Sequence, residues 1–324
     1  MQLKRAQGCL VGQLAGDALG SLVEFQDADS ISKNYPKGVR ELVDGGTWNT
    51  LAGQPTDDSE MALDLARMLV KLGRYDANEA FKAYQGWIDS QPFDCGLTIS
   101  DGLKGVPNTD SQANGALMRI SPLGIFAAES SDKEIIDWAM QDAALTHPHQ
   151  ICQQANALFV LGIARAIQKS LSAAEVYELI ENYANHLDVD FELKAIIGDA
   201  AFMAPSDYVD TQGWVLIAFQ NALWQLLHAP NLEEALIDTV GRGGDTDTNA
   251  AICGALLGAV YGIDAIPEQW LSSILECRPI QGKAGVYRPR PERYWPVDAL
   301  EIAGKLLPSH PALEGDHIMS PSTQ

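Results

Sequence analysis

Cysteine is sparse and unpaired in this chain. Five residues, Cys9, Cys95, Cys152, Cys253 and Cys277, are scattered over 324 positions with no CxxC spacing. That excludes a disulfide framework and predicts reduced thiols and a cytoplasmic location. A His- or Cys-rich zinc pattern is also missing. Basic charge is scarce: 22 Lys and Arg stand against 43 Asp and Glu, a net charge of −21. Nucleic acid and anionic membrane both call for a positive footprint, so neither is expected as a partner. No apolar run is long enough to span a membrane. The apolar stretch from Gly8 is interrupted by Gln13 and Asp17 and closes on no clear cleavage site, which argues against a secretory signal. Sustained strand-type alternation is absent. Helical periods dominate, and the predicted class is all-α. Neither a linker nor an internal repeat divides the chain, so one domain is expected over 1–307, with an unstructured tail at 308–324.

What the chain does have is two knots of oxygen-bearing side chains, far apart in sequence. One is Pro55-Thr56-Asp57-Asp58-Ser59-Glu60. The other is Gly241-Arg242-Gly243-Gly244-Asp245-Thr246-Asp247-Thr248-Asn249. Asp57 has the position of a helix N-cap, with Glu60 three residues on as a capping box. Capping accounts for one acid, however, and not for Thr56, Asp57 and Asp58 together. Carboxylate and hydroxyl oxygens without His or Cys suit Mg²⁺ or Mn²⁺. Thr56, Asp57, Asp58, Asp245, Asp247 and Thr248 are therefore the candidate metal ligands, enough for one or two ions. Gly243 and Gly244 are expected to let a ligand approach the backbone. An anionic ligand is difficult for so acidic a chain unless metal and backbone N–H groups receive it.

Two helices carry matching combs of small residues. Gly8, Gly12, Gly16 and Gly20 recur every four residues in a helix predicted over 3–23. Ala250, Gly254, Gly258 and Gly262 do the same in a helix predicted from Ala250. Each helical glycine costs about 1 kcal/mol relative to alanine, which tertiary packing has to return. The two helices are predicted to pack closely and bring the knots together. Asp17 and Glu24 lie at the C-terminal part of the first, where a carboxylate opposes the helix dipole, and are expected to face the knots. Further helices are predicted at 77–90, 132–144, 149–169, 172–186, 212–228, 231–240, from Pro267 to Cys277, and at 297–307. Residues 26–55 and 92–114 read as long loops. Asn114-Gly115 opens a helix and offers a usable anion site. His147 precedes Pro148 and His149 in a loop. The basic and aromatic stretch 278–296 reads as a strap across the helices rather than a ligand wall.

Taken together, Gly16-Asp17-Ala18-Leu19-Gly20-Ser21-Leu22-Val23-Glu24-Phe25, Thr56-Asp57-Asp58-Ser59-Glu60-Met61, Asn114-Gly115-Ala116-Leu117-Met118-Arg119, Thr146-His147 and Gly244-Asp245-Thr246-Asp247-Thr248 resemble the ADP-ribosylglycohydrolase family. The blocks stand in family order from residue 8 to about residue 262. The resemblance implies a compact orthogonal helical bundle with two Mg²⁺ or Mn²⁺ ions. It implies hydrolysis of the bond joining ADP-ribose to a protein side chain, most often arginine, with an ADP-ribosylated protein as substrate and ADP-ribose as product. By the same resemblance, Thr56, Asp57 and Asp58 supply half of the metal ligands, and Asp245, Asp247 and Thr248 supply the other half. Glu24, Asp57 and Asp58 are implied to handle the proton. Glu24, Asn114, Gly115 and His147 are implied to contact the substrate, while Gly243 and Gly244 are expected to do so from their backbone chemistry alone. Ala113 stands where the family often has glycine, which would alter the phosphate loop. The alternatives are a silent ADP-ribose-binding or structural relative, or a hydrolase of another ADP-ribose-linked small molecule.

Overall fold

Glycines spaced by four set the central contact of the fold. The computed structural model describes residues 1–308. In chain order its helices are α1 (Gln2–Gly20), α2 (Ala28–Asn34), α3 (Asp57–Leu72), α4 (Ala77–Asp89), α5 (Leu97–Leu103), α6 (Ser121–Phe126), α7 (Asp132–Ala144), α8 (Gln150–Lys169), α9 (Ala173–His186), α10 (Phe191–Asp199), α11 (Val215–His228), α12 (Leu232–Gly241), α13 (Thr246–Tyr261), α14 (Glu268–Glu276) and α15 (Ala299–Leu306). Among the described residues there is no strand ladder, only isolated bridges. The class is all-α.

α1 and α13 lie against each other along their whole length. A Cβ on Gly12 would run into the carbonyl of Gly254, and one on Gly254 into that of Gly12; Gly8 and Gly258 are paired the same way. Both helices are buried on nearly all sides from Gly8 to Gly20 and from Thr246 to Val260. Such an all-round burial has no amphipathic stripe, and small residues are what let two backbones meet at that distance. α11 and α12 flank α13, and α15 and α6 flank α1. Buried apolar side chains from Ala6 to Leu306 make one contiguous cluster.

Local chemistry explains several helix boundaries. Ser131 with Glu134, and Ser172 with Glu175, form reciprocal capping boxes that start α7 and α9. α3 ends on Gly73 in the left-handed region, at φ 65°. Two short helices, α2 and α5, fall where the sequence reads as loop, and a third, α10, falls in a stretch with no predicted element. They have seven to nine residues each, too few for a periodic stripe to show. Asn114–Ala116 is a single 3₁₀ turn rather than the start of an α-helix. The residues after 308 lie outside the described ones, as does the tail expected there.

The strap reading of 278–296 holds. Arg290 donates to both Glu60 carboxylate oxygens at 2.8 Å, and Arg293 donates to Asp64 Oδ1 at 2.6 Å, both on α3. Arg288 donates to the Trp48 carbonyl at 2.8 Å. Glu60 is thus the strap's anchor and also accepts from the Trp87 indole at 2.9 Å. The capping-box role expected for it does not occur.

Candidate active site

The N-terminus of α3 is capped from another helix. Its N-cap is Thr56, not Asp57, and no side chain of its own segment caps it. Asp17 of α1 does so instead. Its carboxylate accepts from the Thr56 amide at 3.1 Å, the Thr56 hydroxyl at 2.9 Å and the Ser59 amide at 3.1 Å. Burial pushes Asp17 up to about 6, and those hydrogen bonds pull the other way. With capping done by Asp17, Asp57 and Asp58 in the first turn are released from that duty. Both line a cavity of about 430 Å³.

The second knot arrives by the glycine-paired helices. Thr246 donates to the Gly20 carbonyl at 2.7 Å, pinning the start of α13 to the end of α1. Asp247 and Thr248 then sit in the first turn of α13, so this helix begins four residues before Ala250, where the small-residue comb suggested. Asp245, Asp247 and Thr248 line the same cavity as Asp57 and Asp58. The Thr248 hydroxyl lies 3.5 Å from Asp58 Oδ2, and the Thr56 hydroxyl 3.2 Å from that same oxygen. Asp58 therefore joins the two knots. Its other oxygen, Oδ1, is buried without a partner.

Glu24 enters from the turn after α1. The Trp48 indole donates to its Oε2 at 2.5 Å, and the neighbouring Phe25 has φ 67°, a left-handed conformation that turns the chain into the Gly244 carbonyl. Carboxylate oxygens of Glu24, Asp94 and Asp247 lie within 4.8 Å of one another. This tightest grouping shares only Asp247 with the ligand set read from sequence. Asp94 went unread because no motif surrounds it in the 92–114 loop. Its neighbours across the cavity are revealed only by folding.

The electrostatics follow from crowding. Burial first, and then the Asp94 carboxylate, push Glu24 up to about 8. Burial raises Asp57, Asp58 and Asp247 well above the usual carboxylate range, and the surrounding acids add to each. No lysine or arginine lines the cavity among the described residues. Such a cluster needs a cation or protons to balance it. An all-oxygen donor set with an unpartnered buried carboxylate oxygen fits a hard divalent ion.

The other expected residues divide. Asn114 lines the cavity and donates from Nδ2 to Asp245 Oδ2 at 2.7 Å; Gly115 and His147 line it too. His149 is elsewhere, its Nδ1 accepting from the Ile151 amide to cap α8. Ala113 has φ −70° and ψ 155°, ordinary extended backbone, so the loop shape requires no glycine there. Thr56 is fully buried beneath the cavity rather than in its lining. Gly243 and Gly244 do not line it either. They have φ of 80° and 75°, and the Cβ positions they lack are filled by backbone of Gln26 and Tyr208. The Gly244 amide donates to the Gln26 carbonyl at 2.9 Å. These glycines make room for the chain, not for a ligand. The lining also includes Phe25, Leu97 and Ile99, which sequence reasoning did not single out.

The sequence profile of the ADP-ribosylglycohydrolase family matches residues 1–295. The chain belongs to that family. An ADP-ribosyl-[dinitrogen reductase] glycohydrolase of Rhodospirillum rubrum is 30% identical over 282 residues, which is 83% of this chain and 90% of that protein. The ADP-ribosylarginine hydrolase Tri1 of Pseudomonas putida is 27% identical, over 92% of this chain and 81% of its own. A solved chain from an ADP-ribosylglycohydrolase-related protein complex superposes with a TM-score of 0.76 at 25% identity, covering 94% of this chain and 97% of that one. This ADP-ribosylglycohydrolase is thus an enzyme that hydrolyses a glycosidic bond, built on an all-helical frame. No helix among its described residues is long and apolar enough to cross a membrane.

Proposed function

We propose that this chain releases ADP-ribose from a modified protein side chain, arginine for preference, in a reaction dependent on divalent Mg²⁺ or Mn²⁺. The observation that carries the reading is the meeting of Thr56-Asp57-Asp58 with Asp245-Asp247-Thr248 in one cavity, joined at Asp58 and Thr248. Asp57, Asp58, Asp245, Asp247 and Thr248 would hold the metal, with Asp94 and Glu24 beside them and Thr56 fixing Asp58 from below. When bound, such ions polarise a substrate oxygen and lower the pKa of water.

The chain's own residues do the rest. The Trp48 indole holds the Glu24 carboxyl in one orientation. Glu24 and Asp57 would move a proton to or from the scissile bond, a task worth roughly 10²–10⁴-fold. Asn114 keeps Asp245 turned into the site. Phe25 and Leu97, both exposed, add apolar surface at the mouth of the cavity. A guanidinium leaving group suits a cavity lined by six aspartates and glutamates and by no lysine or arginine among the described residues. The name of the Pseudomonas putida relative supports the same preference.

The test is release of ADP-ribose from arginine-modified and serine-modified peptides side by side, with Mg²⁺, Mn²⁺ or EDTA. Faster release from the arginine peptide, abolished by EDTA, is the expected result. Full activity in EDTA overturns the metal requirement, and preference for the serine peptide overturns the linkage. Tight ADP-ribose binding without turnover of either peptide would mark a silent relative.

A further inference from the structure

His147 is held by a buried relay that ordinary ligand contact does not explain. Arg119 is fully buried in the segment after the Asn114–Ala116 turn. Its Nε donates to Asp142 Oδ1 at 3.3 Å, its Nη2 to the Asp142 carbonyl at 3.0 Å, and its Nη1 to the Thr146 hydroxyl at 2.8 Å. The Tyr84 ring lies against the guanidinium, 4.3 Å from centroid to Cζ. The Tyr84 hydroxyl returns to the same Asp142 carboxylate at 3.1 Å, and the Tyr75 hydroxyl at 3.4 Å.

The direction of each proton then follows from donor chemistry. A guanidinium only donates, so the Thr146 oxygen accepts from Arg119. The Thr146 hydroxyl has one proton of its own, and His147 Nδ1 stands 2.7 Å away to receive it. Burial, and after it the Arg119 charge, pull His147 down to about 3, so the ring is neutral. A neutral imidazole that accepts at Nδ1 carries its proton at Nε2. That Nε2 is buried and has no partner in the protein, and the ring lines the cavity. Two glycines fit the chain around it. An ideal Cβ on Gly115 would lie 3.2 Å from the imidazole Cε1, and one on Gly102 would lie 2.6 Å from the Thr146 Cα.

We propose that Arg119 is a positioning residue: acting through the Thr146 hydroxyl, it locks His147 as the neutral Nε2–H tautomer and so fixes one hydrogen-bond donor toward the ligand. The atom that meets it is an acceptor oxygen, of the kind that ribose and diphosphate carry. Only the identity of that ligand rests on the ADP-ribose reading; the tautomer does not. A buried unpaired N–H is costly, and a ligand oxygen relieves that cost only while the proton stays on Nε2.

The experiment uses the full chain with ¹⁵N-labelled histidine and two-bond ¹H–¹⁵N spectra, His147 being assigned from a His147→Gln sample. Without ligand and across the neutral pH range, His147 should show a pyridine-like Nδ1 and a pyrrole-like Nε2. Thr146→Ser keeps the hydroxyl and should keep that signature. Thr146→Val should lose it and weaken ADP-ribose binding about tenfold, the size of one lost hydrogen bond. Titration with inorganic diphosphate alongside ADP-ribose shows which oxygens shift the Nε2 proton. A wild-type spectrum with the proton on Nδ1, or an equal mixture, overturns the relay, as does an unchanged signature in Thr146→Val. If the valine variant does not fold, the wild-type and serine spectra decide. A locked Nε2–H with no binding of ADP-ribose would uphold the relay and sink the ligand assignment.

Discussion

Asp17 of α1 accepts hydrogen bonds from both the amide and the hydroxyl of Thr56, at 3.1 Å and 2.9 Å. One buried carboxylate thereby caps α3 across the helix interface, and the two aspartates that follow Thr56 are left to the cavity. Asp17→Ala should cost about 1–2 kcal/mol as a lost cap, rising where the freed amides stay buried. It should also lower activity, since the first turn of α3 carries Asp57 and Asp58. Thermal unfolding and turnover measured together check both halves, and an unchanged turnover would show that the cap does not orient the acids.

The carboxylate cluster makes stability depend on pH in a defined direction. Folding raises Asp17 to about 6 and Glu24 to about 8, and raises Asp57, Asp58 and Asp247 as well. The folded chain then binds more protons than the unfolded one, so stability falls as pH rises. In EDTA the melting temperature should drop from above the ordinary carboxylate range, about pH 4, through about pH 8. Saturating Mg²⁺ or Mn²⁺ should flatten that slope and release protons on binding. A melting temperature independent of pH in EDTA would contradict the crowding.

Neutralising one member of the cluster should separate stability from chemistry. Asp58→Asn and Asp247→Asn are expected to lower turnover by at least about 10²-fold. In EDTA neither should melt below the parent chain, because each removes a like charge from a buried group. Turnover with saturating Mg²⁺ or Mn²⁺, and melting in EDTA, would settle it; a large loss of melting temperature would give Asp58 or Asp247 a structural role instead.

The glycine pairing predicts opposite outcomes for two helical glycines. Gly254→Ala puts a methyl group into the Gly12 backbone and should cost about 1–3 kcal/mol or more, since neither backbone can yield. Gly198→Ala in α10 meets nothing within 4 Å and should be neutral or stabilising by up to about 1 kcal/mol. Denaturant midpoints of the two variants are the check.

The strap should behave as a buried ion pair. Arg290 and Glu60 have side chains only 3% and 1% exposed, so breaking the pair leaves an unmatched buried charge. Arg290→Met should destabilise by about 3–5 kcal/mol, and Glu60→Gln combined with it should recover part of that. A double-mutant cycle on urea unfolding measures the coupling.

Much of the site was legible because its residues come in dense local blocks. Thr56-Asp57-Asp58 and Asp245-Thr246-Asp247-Thr248 each sit in a helix's first turn, where sequence spacing and spatial spacing agree. The combs at Gly8–Gly20 and Ala250–Gly262 announced a close helix pair for the same reason: a period of four is a statement about one helix face. Asp94 was not legible. It has no local pattern, and its meaning comes from lying near Glu24 and Asp247 across the cavity. Gly243 and Gly244 were read toward the wrong neighbour, because a positive φ is visible as glycine while what fills the vacant Cβ position is not.

The sequence by itself determined the helical class, the small-residue faces of α1 and α13, and the two acidic knots, since each is written in short-range periodicity and residue chemistry. Tertiary structure decided who serves whom. Asp17 rather than Asp57 caps α3, Glu60 holds the strap at Arg290, and Arg119 reaches His147 through Thr146. Those assignments join residues on different helices or across loops. Hydrogen-bond partners at such distances are set by how helices cross, and helix crossing is set by packing that no local window contains.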